Sequence, residues 1–140
     1  MCGFESHLLR QMRLLGIDYG RRNVGVAISD EAARFAMPHA VLKNDQWLLK
    51  HLASMSEKLD IVKIIVGESK DFKGKDNPVM GEIRNFVEMV KKELKISVEM
   101  EPEYMTSAEA ERLQGKTDLI DASAAAIILQ SYINKKNSSS

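Results

Sequence analysis

The chain has 140 residues, enough for one domain with a real core, and its 44% hydrophobic and 29% charged residues are those of an ordinary globular protein. Twenty Lys and Arg balance twenty Asp and Glu, so a polyanionic partner must be held by a local basic patch rather than by bulk charge. The single cysteine, Cys2, excludes an internal disulfide and fits a reducing, cytoplasmic setting, while no apolar run approaches the roughly 18 residues of a membrane span and the start, MCGFESHLLRQ, lacks a signal-peptide core.

Residues 1–11 read as an N-terminal extension, with one domain over 12–135 and a frayed, disordered polar tail over 136–140. The run from Met12 to Ile17 predicts a central strand. Val24 to Ile28 predicts a second, and the short turn between them, with Gly20 and Asn23, makes the pair an antiparallel hairpin. Phe35 to Leu42 supplies a third strand in which Pro38 marks an edge or an irregularity. Trp47, Leu48, His51, Leu52, Met55 and Leu59 then fall at helical spacing on one face. Trp47 and the methionines are read as core.

Ile61 to Val66 is almost wholly apolar, a strand covered on both faces and ended by Gly67. ESKDFKGKDN, residues 68–77, is a polar lysine-rich loop, and Asn77-Pro78 opens a helix buried along Ile83, Phe86, Val87, Val90 and Leu94. Ile96, Val98 and Met100 alternate with polar residues in a half-buried strand over 96–101. Thr106 and Glu109 form a capping box for a further helix. The last helix, capped by Thr117 or Asp118, runs to about Asn134. Early antiparallel strands followed by strand–helix alternation describe an α/β mixed sheet, in which sites gather at the carboxyl ends of the parallel strands.

Three acids stand out on that plan. Asp18 ends the first strand, Glu103 follows the strand over 96–101, and Asp121 lies in the first turn of the last helix. With the first and fifth strands as parallel neighbours, Asp18 and Glu103 would emerge at one end of the sheet. Asp121 shares a helix face with Ala124, Ala125, Ile128 and Tyr132, where a carboxylate is costly unless it is paired or holds a metal. Each acid alone has an ordinary explanation: a strand-end turn, a solvated loop, or a carboxylate near a helix N-terminus, which is worth about 0.3–1 kcal/mol. Together, three carboxylates at one sheet end suit Mg²⁺ or Mn²⁺ and the hydrolysis of phosphodiesters. Arg21 and Arg22, Lys70, Lys73 and Lys75, and Lys116 are candidate phosphate contacts, each equally explained as a solvated charge. Asp30 ends the returning second strand and belongs to the opposite sheet edge. His7, His39 and His51 show no metal-ligand spacing.

GIDYGRRNVGVAISD, YMTSAEAERL and DLIDASAAAIILQSYI, in this order, resemble the YqgF (RuvX-like) family of bacterial pre-16S rRNA nucleases, a family also described as Holliday junction resolvases. The resemblance covers roughly residues 12–135. It implies an RNase H-like fold with a mixed five-stranded sheet and helices on both faces. Its first acid, in a D-x-G turn, matches Asp18, with Gly20 as the glycine. The acid before the T-[TS]-x-E-A block, here Thr106 to Ala110, is Glu103; the acid ahead of the run of alanines is Asp121. By that resemblance the three are catalytic metal ligands. The expected substrate contacts are Gly20 and Thr106 of the matching motifs together with Arg21, Arg22, Lys70, Lys73, Lys75 and Lys116, read from their own positions.

The chain departs from the family twice. Pro102-Glu103-Tyr104-Met105 replaces D-E-R-L, so an arginine is missing beside the acid. GESKDFKGKDNP replaces G-L-P-x-x-x-x-G. The function implied is a cytoplasmic, metal-dependent nuclease of 16S rRNA 5′-end maturation, as monomer or homodimer, with pre-16S rRNA or branched DNA as partner. The alternatives are a resolvase of four-way DNA junctions and a non-catalytic nucleic-acid-binding module. D-x-G hairpins also bind phosphate in actin-like and sugar-kinase folds, but those use a second lobe for which 140 residues leave no room.

Overall fold

The computed structural model describes residues 13–70, 80–104 and 118–138. Five strands form one sheet: β1 (Arg13–Asp18), β2 (Asn23–Ser29), β3 (Ala36–Lys43), β4 (Ile61–Lys70) and β5 (Ser97–Tyr104), in the order β3-β2-β1-β4-β5. β1, β2 and β3 are antiparallel neighbours, whereas β4 and β5 run parallel to β1. Among the described residues three helices accompany them: α1 (Leu48–Lys58), α2 (Met80–Leu94) and α3 (Asp118–Ser138).

Strand alternation divides the core in two. On one face Leu15, Ile17, Val24, Val26, Ile64 and Val66 meet Leu48 and Leu52 of α1 and Met80, Ile83, Phe86, Val87 and Val90 of α2. On the other, Leu14, Ala27 and Ile65 meet Ala125, Ile128, Leu129, Tyr132 and Ile133 of α3. Each of the large aliphatic side chains contributes about 1.5–3 kcal/mol when fully buried. The crossover helices thus share one face, and the C-terminal helix covers the other.

The expected order of strands and helices holds, with informative differences. β4 does not stop at Gly67: it continues to Lys70, and β5 continues to Tyr104, because each provides the other's ladder through Gly67–Glu101, Glu68–Pro102, Ser69–Glu103 and Lys70–Tyr104. Residues 68–70, read as the start of a loop, are therefore strand. Pro102 is tolerated because β5 is an edge strand, and Pro38 sits in the opposite edge strand beside the irregularity that shifts the β2–β3 register after Val26. The last helix reaches Ser138, beyond the expected end near Asn134.

Trp47 and two of the methionines are not core. Trp47 is 51% exposed, as is Met89, and Met37 is 47% exposed. The buried stripe of α1 runs through Leu48, Leu52 and Ser56, which turns positions 47 and 51 aside. Lys50 instead lies over the Trp47 ring, 5.7 Å from its centre. The Asn77-Pro78 helix start and the capping box at Thr106 and Glu109 lie outside the described residues.

Candidate active site

The carboxyl ends of β1, β4 and β5 form one edge of the sheet. β1 and β5 are not neighbours, contrary to the expectation: β4 lies between them. Ile17 pairs with Val66 and Val66 with Met100, so Asp18 stands level with Gly67 and Glu101. Two strand spacings, roughly 10 Å, separate the β1 and β5 backbones. Glu103 lies two residues further along β5, opposite Ser69. The shared sheet end therefore holds, while the lateral gap is one strand wider than direct neighbours would give.

Leu14, Gly16 and Asp18 alternate onto the face covered by α3, where Leu14 belongs to the α3 core. Glycine at position 16 is what lets that helix settle here. A Cβ on Gly16 would stand 2.7 Å from the Leu129 Cβ and 3.0 Å from the Ala125 carbonyl oxygen. On β4, a Cβ on Gly67 would stand 2.5 Å from the Ile128 Cδ1. α3 is thus seated directly on the backbone two residues short of Asp18. Asp121 falls in the first turn of α3, one helical turn before Ala125. The apolar stripe that made Asp121 conspicuous is buried at Ala125, Ile128 and Tyr132.

The turn after Asp18 has its own steric requirement. A Cβ on Gly20 would stand 2.4 Å from the Asn23 carbonyl oxygen, so the turn closes only with glycine there. Asn44, just beyond β3, fastens this turn twice: its Nδ2 donates to the Gly20 carbonyl at 2.7 Å, and its backbone N–H donates to the Arg22 carbonyl at 2.8 Å. Nothing in the stretch KNDQW marked Asn44 in advance; its role comes from β3 returning beside β2.

Both turn arginines are exposed. Arg21 Nε donates to Glu82 Oε2 of α2 at 2.8 Å, a partner that sequence spacing does not connect to it. Arg22 pairs with no carboxylate among the described residues. Lys70 is the last residue of β4, at the same sheet edge, paired with Tyr104. Lys73, Lys75, Thr106 and Lys116 lie outside the described residues.

Below this edge, β5 is clamped to α3. Glu101, only 3% exposed, accepts from Ser131 Oγ at 2.8 Å and pairs with Lys135 Nζ at 2.7 Å. One alternation earlier, Glu99 binds Lys63 Nζ and accepts from the Tyr132 hydroxyl at 2.8 Å. The Lys63 ammonium, and then the Tyr132 hydroxyl, hold the Glu99 carboxyl below the usual carboxylate range, outweighing desolvation. Bonds to Glu99 and then Tyr132 push Lys63 above the usual lysine range. These two acids escaped sequence reading because a β-strand glutamate reads as a solvated one until its helix partner is known.

Asp30 is at the opposite end of the sheet, as expected. Its Oδ1 accepts from the Arg34 and Phe35 N–H groups at 2.6 and 2.9 Å, capping the turn that leads to β3. Burial pushes its carboxyl up, but these bonds and the Arg34 charge bring it below the ordinary range.

Among the described side chains, no three acids, histidines or cysteines come together as a metal-binding group. The proposed donors are Asp18 at the end of β1, Glu103 near the end of β5 and Asp121 in the first turn of α3. Their chemistry fits a divalent cation: all three are hard carboxylate donors of the kind Mg²⁺ and Mn²⁺ take. No helix among the described residues is long and apolar enough to cross a membrane.

Comparison with known proteins agrees with this geometry. A protein of Halothermothrix orenii described as "Putative pre-16S rRNA nuclease" is 35% identical over 136 residues, covering 90% of this chain and 97% of its own. One of the same description from Caldanaerobacter subterraneus subsp. tengcongensis is 32% identical over 139 residues, covering 91% and 100%. Among solved structures, Thermus thermophilus RuvC in complex with a Holliday junction substrate matches with a TM-score of 0.55 at 15% identity, over 89% of this chain and 95% of that one. The fowlpox virus resolvase with Holliday junction DNA matches with a TM-score of 0.55 at 16% identity, over 89% and 98%. At those identities the likeness establishes the fold, which is RNase H-like as expected. A family model described as "RuvX: Holliday junction resolvase" matches residues 12–135, and with the Asp18 turn, the sheet order and the helix seated on Gly16 it leads to one conclusion: the chain belongs to the RuvX family.

Proposed function

We propose that this chain is a divalent-metal-dependent nuclease that hydrolyses nucleic-acid phosphodiesters in the 5′-end maturation of 16S rRNA, in the cytoplasm. The observation that carries this reading is the position of Asp18. It ends β1 at the carboxyl end of the parallel strands, level with Gly67 of β4 and Glu101 of β5, on the face where α3 is seated two residues away. The description shared by the curated relatives favours rRNA as substrate.

Asp18, Glu103 and Asp121 would hold one or two Mg²⁺ or Mn²⁺ ions. When bound, such ions lower the pKa of water and stabilise charge on the leaving oxygen. The chain's own part is rigid placement. Asp18 is the last residue of a central strand, and Gly20 and Asn44 fix the turn beyond it. Arg22 is available to a phosphate, and Arg21 reaches one by exchanging Glu82 for it. Lys70, Lys73, Lys75, Thr106 and Lys116 complete the phosphate-binding set in this reading, the lysines compensating for the arginine absent beside Glu103.

Cleavage of four-way DNA junctions is the second reading, favoured by the description of the family model. Symmetric junction cutting requires two sites and hence a homodimer, whereas RNA trimming needs one. The test is a gel in which wild type and Asp18→Asn are incubated with Mn²⁺ or Mg²⁺ on two labelled substrates, an RNA spanning the 16S 5′ boundary and a four-way DNA junction. The loss expected in the variant exceeds about a hundredfold, since even outer-shell changes at metal sites cost 10–100-fold. RNA cleavage by wild type alone supports the first reading, and junction cleavage alone supports the second. Binding without cleavage of either substrate, and without thermal stabilisation by Mn²⁺, would make the chain a non-catalytic binding module.

A further inference from the structure

On the opposite face of the sheet from α3, a cavity of about 300 Å³ opens between the turn after β1, the start of α1 and the exposed side of α2. Tyr19, the residue next to Asp18, forms part of its wall, with Phe86 against it at 5.0 Å between ring centres. The polar lining is unusual in composition. Two carboxylates, Asp45 and Glu82, and three carboxamides, Asn44, Gln46 and Asn85, line a volume at the small end of ligand sites. We propose that this cavity receives one unstacked nucleobase of a single-stranded substrate that passes over the carboxyl end of β1, the Asp18 edge lying on the other face of the sheet, and that it prefers guanine.

Three observations point to that occupant. The apolar part of the lining includes Tyr19, Leu48, Leu49 and Met89, and unstacked bases are held against aromatic side chains by proteins that read single strands. The carboxylates repel a phosphate, so the backbone of a bound strand stays outside, towards exposed Arg21 and Arg22. Carboxylates accept hydrogen bonds and donate none. Guanine is the base whose Watson–Crick edge presents two adjacent donors, N1–H and the N2 amino group, to such acceptors. Glu82 also binds Arg21, so the wall of the cavity and the phosphate-facing turn are joined through one side chain. This inference rests on the nuclease reading for its substrate, but it is tested without hydrolysis.

Trp47, the only tryptophan, lies between two lining residues, Gln46 and Leu48, and is 51% exposed, so its fluorescence reports occupancy. The experiment titrates the full chain, in EDTA, with the RNA pentamers UUGUU, UUAUU, UUCUU and UUUUU. UUGUU is expected to bind at least tenfold more tightly than UUUUU. Asp45→Asn keeps the acceptor that the Trp47 backbone N–H uses at the start of α1, yet places an amide donor where guanine needs an acceptor. Asn85→Phe fills the cavity from the exposed side of α2. Both variants, with folding checked by thermal melting, are expected to reduce the guanine preference to under twofold. Equal affinity for all pentamers, no saturable binding, or a guanine preference unchanged in both variants would overturn the assignment. Metal-dependent cleavage that is lost in Asp18→Asn, alongside any of those results, would leave the nuclease reading standing and remove the base site alone. Guanine-selective binding without cleavage would do the reverse.

Discussion

Replacing Gly16 by alanine tests how the site is assembled. The added Cβ would stand 2.7 Å from the Leu129 Cβ and 3.0 Å from the Ala125 carbonyl oxygen. Neither atom is the free end of a side chain, so no rotamer change relieves the overlap. Carbon atoms pack at about 3.5–4.0 Å, so α3 must retreat from β1 by roughly 1 Å. Overpacking of this kind costs about 1–3 kcal/mol, which for a chain of this size lowers Tm by roughly 3–12 °C. On the proposed mechanism the catalytic consequence is larger than the stability loss, because α3 carries Asp121, one of the three proposed metal ligands. A displacement of about 1 Å at a reacting centre costs on the order of a hundredfold in rate. Gly67→Ala is the control. Its closest contact is the Ile128 Cδ1 at 2.5 Å, the tip of a flexible side chain that can turn away, so it is expected to lose less stability and less rate. The assays are thermal melting with and without Mn²⁺ and initial cleavage rates on the RNA substrate. Wild-type Tm and turnover in Gly16→Ala would refute the placement of α3 on β1, and with it the route by which Asp121 reaches the Asp18 edge.

Glu101→Ala removes the tie between β5 and α3 and is expected to cost about 1–3 kcal/mol, while Glu101→Gln, whose amide oxygen still accepts from Ser131, recovers most of it in chemical denaturation. The Glu99 carboxyl is lowered by Lys63 and Tyr132, so the stability it adds is present above the unfolded pKa and is lost as pH falls through the folded one. Glu99→Gln should therefore flatten the fall of Tm from about pH 4 downward; an acid limb identical to wild type would show that the pair adds nothing. The Lys63 shift has the opposite sign, its contribution being lost only at strongly alkaline pH as the ammonium deprotonates. Lys73→Gln with Lys75→Gln should make the slope of log affinity against log salt shallower by about 1.5, and an unaltered slope would place phosphate binding elsewhere.

Much of this fold is legible in the sequence, because its elements are specified locally. Short apolar runs set β1, β2 and β4, the stripe from Ile83 to Val90 set α2, and the alanine-rich stripe from Ala125 onward set α3. Asp18 could be singled out because a strand end and a D-x-G turn are both short-range patterns. Pairing is different, since a ladder depends on which strand lies alongside. That β4 separates β1 from β5, and that β4 and β5 prolong one another to Lys70 and Tyr104, is decided by the sheet as a whole. The same holds for the stops of the crossover helices. Asp60 and Lys95 adopt positive φ of 55° and 57° where glycine would have advertised the turn. Asn44 on the Gly20 turn, Glu82 on Arg21 and Glu101 on α3 join residues far apart in the chain. The sequence by itself determined the elements, the two-faced core and the candidate acids. Only the tertiary structure decided which backbone stands level with Asp18, how closely α3 approaches it, and which charges are held by partners, because those depend on distances across the sheet that no local pattern encodes.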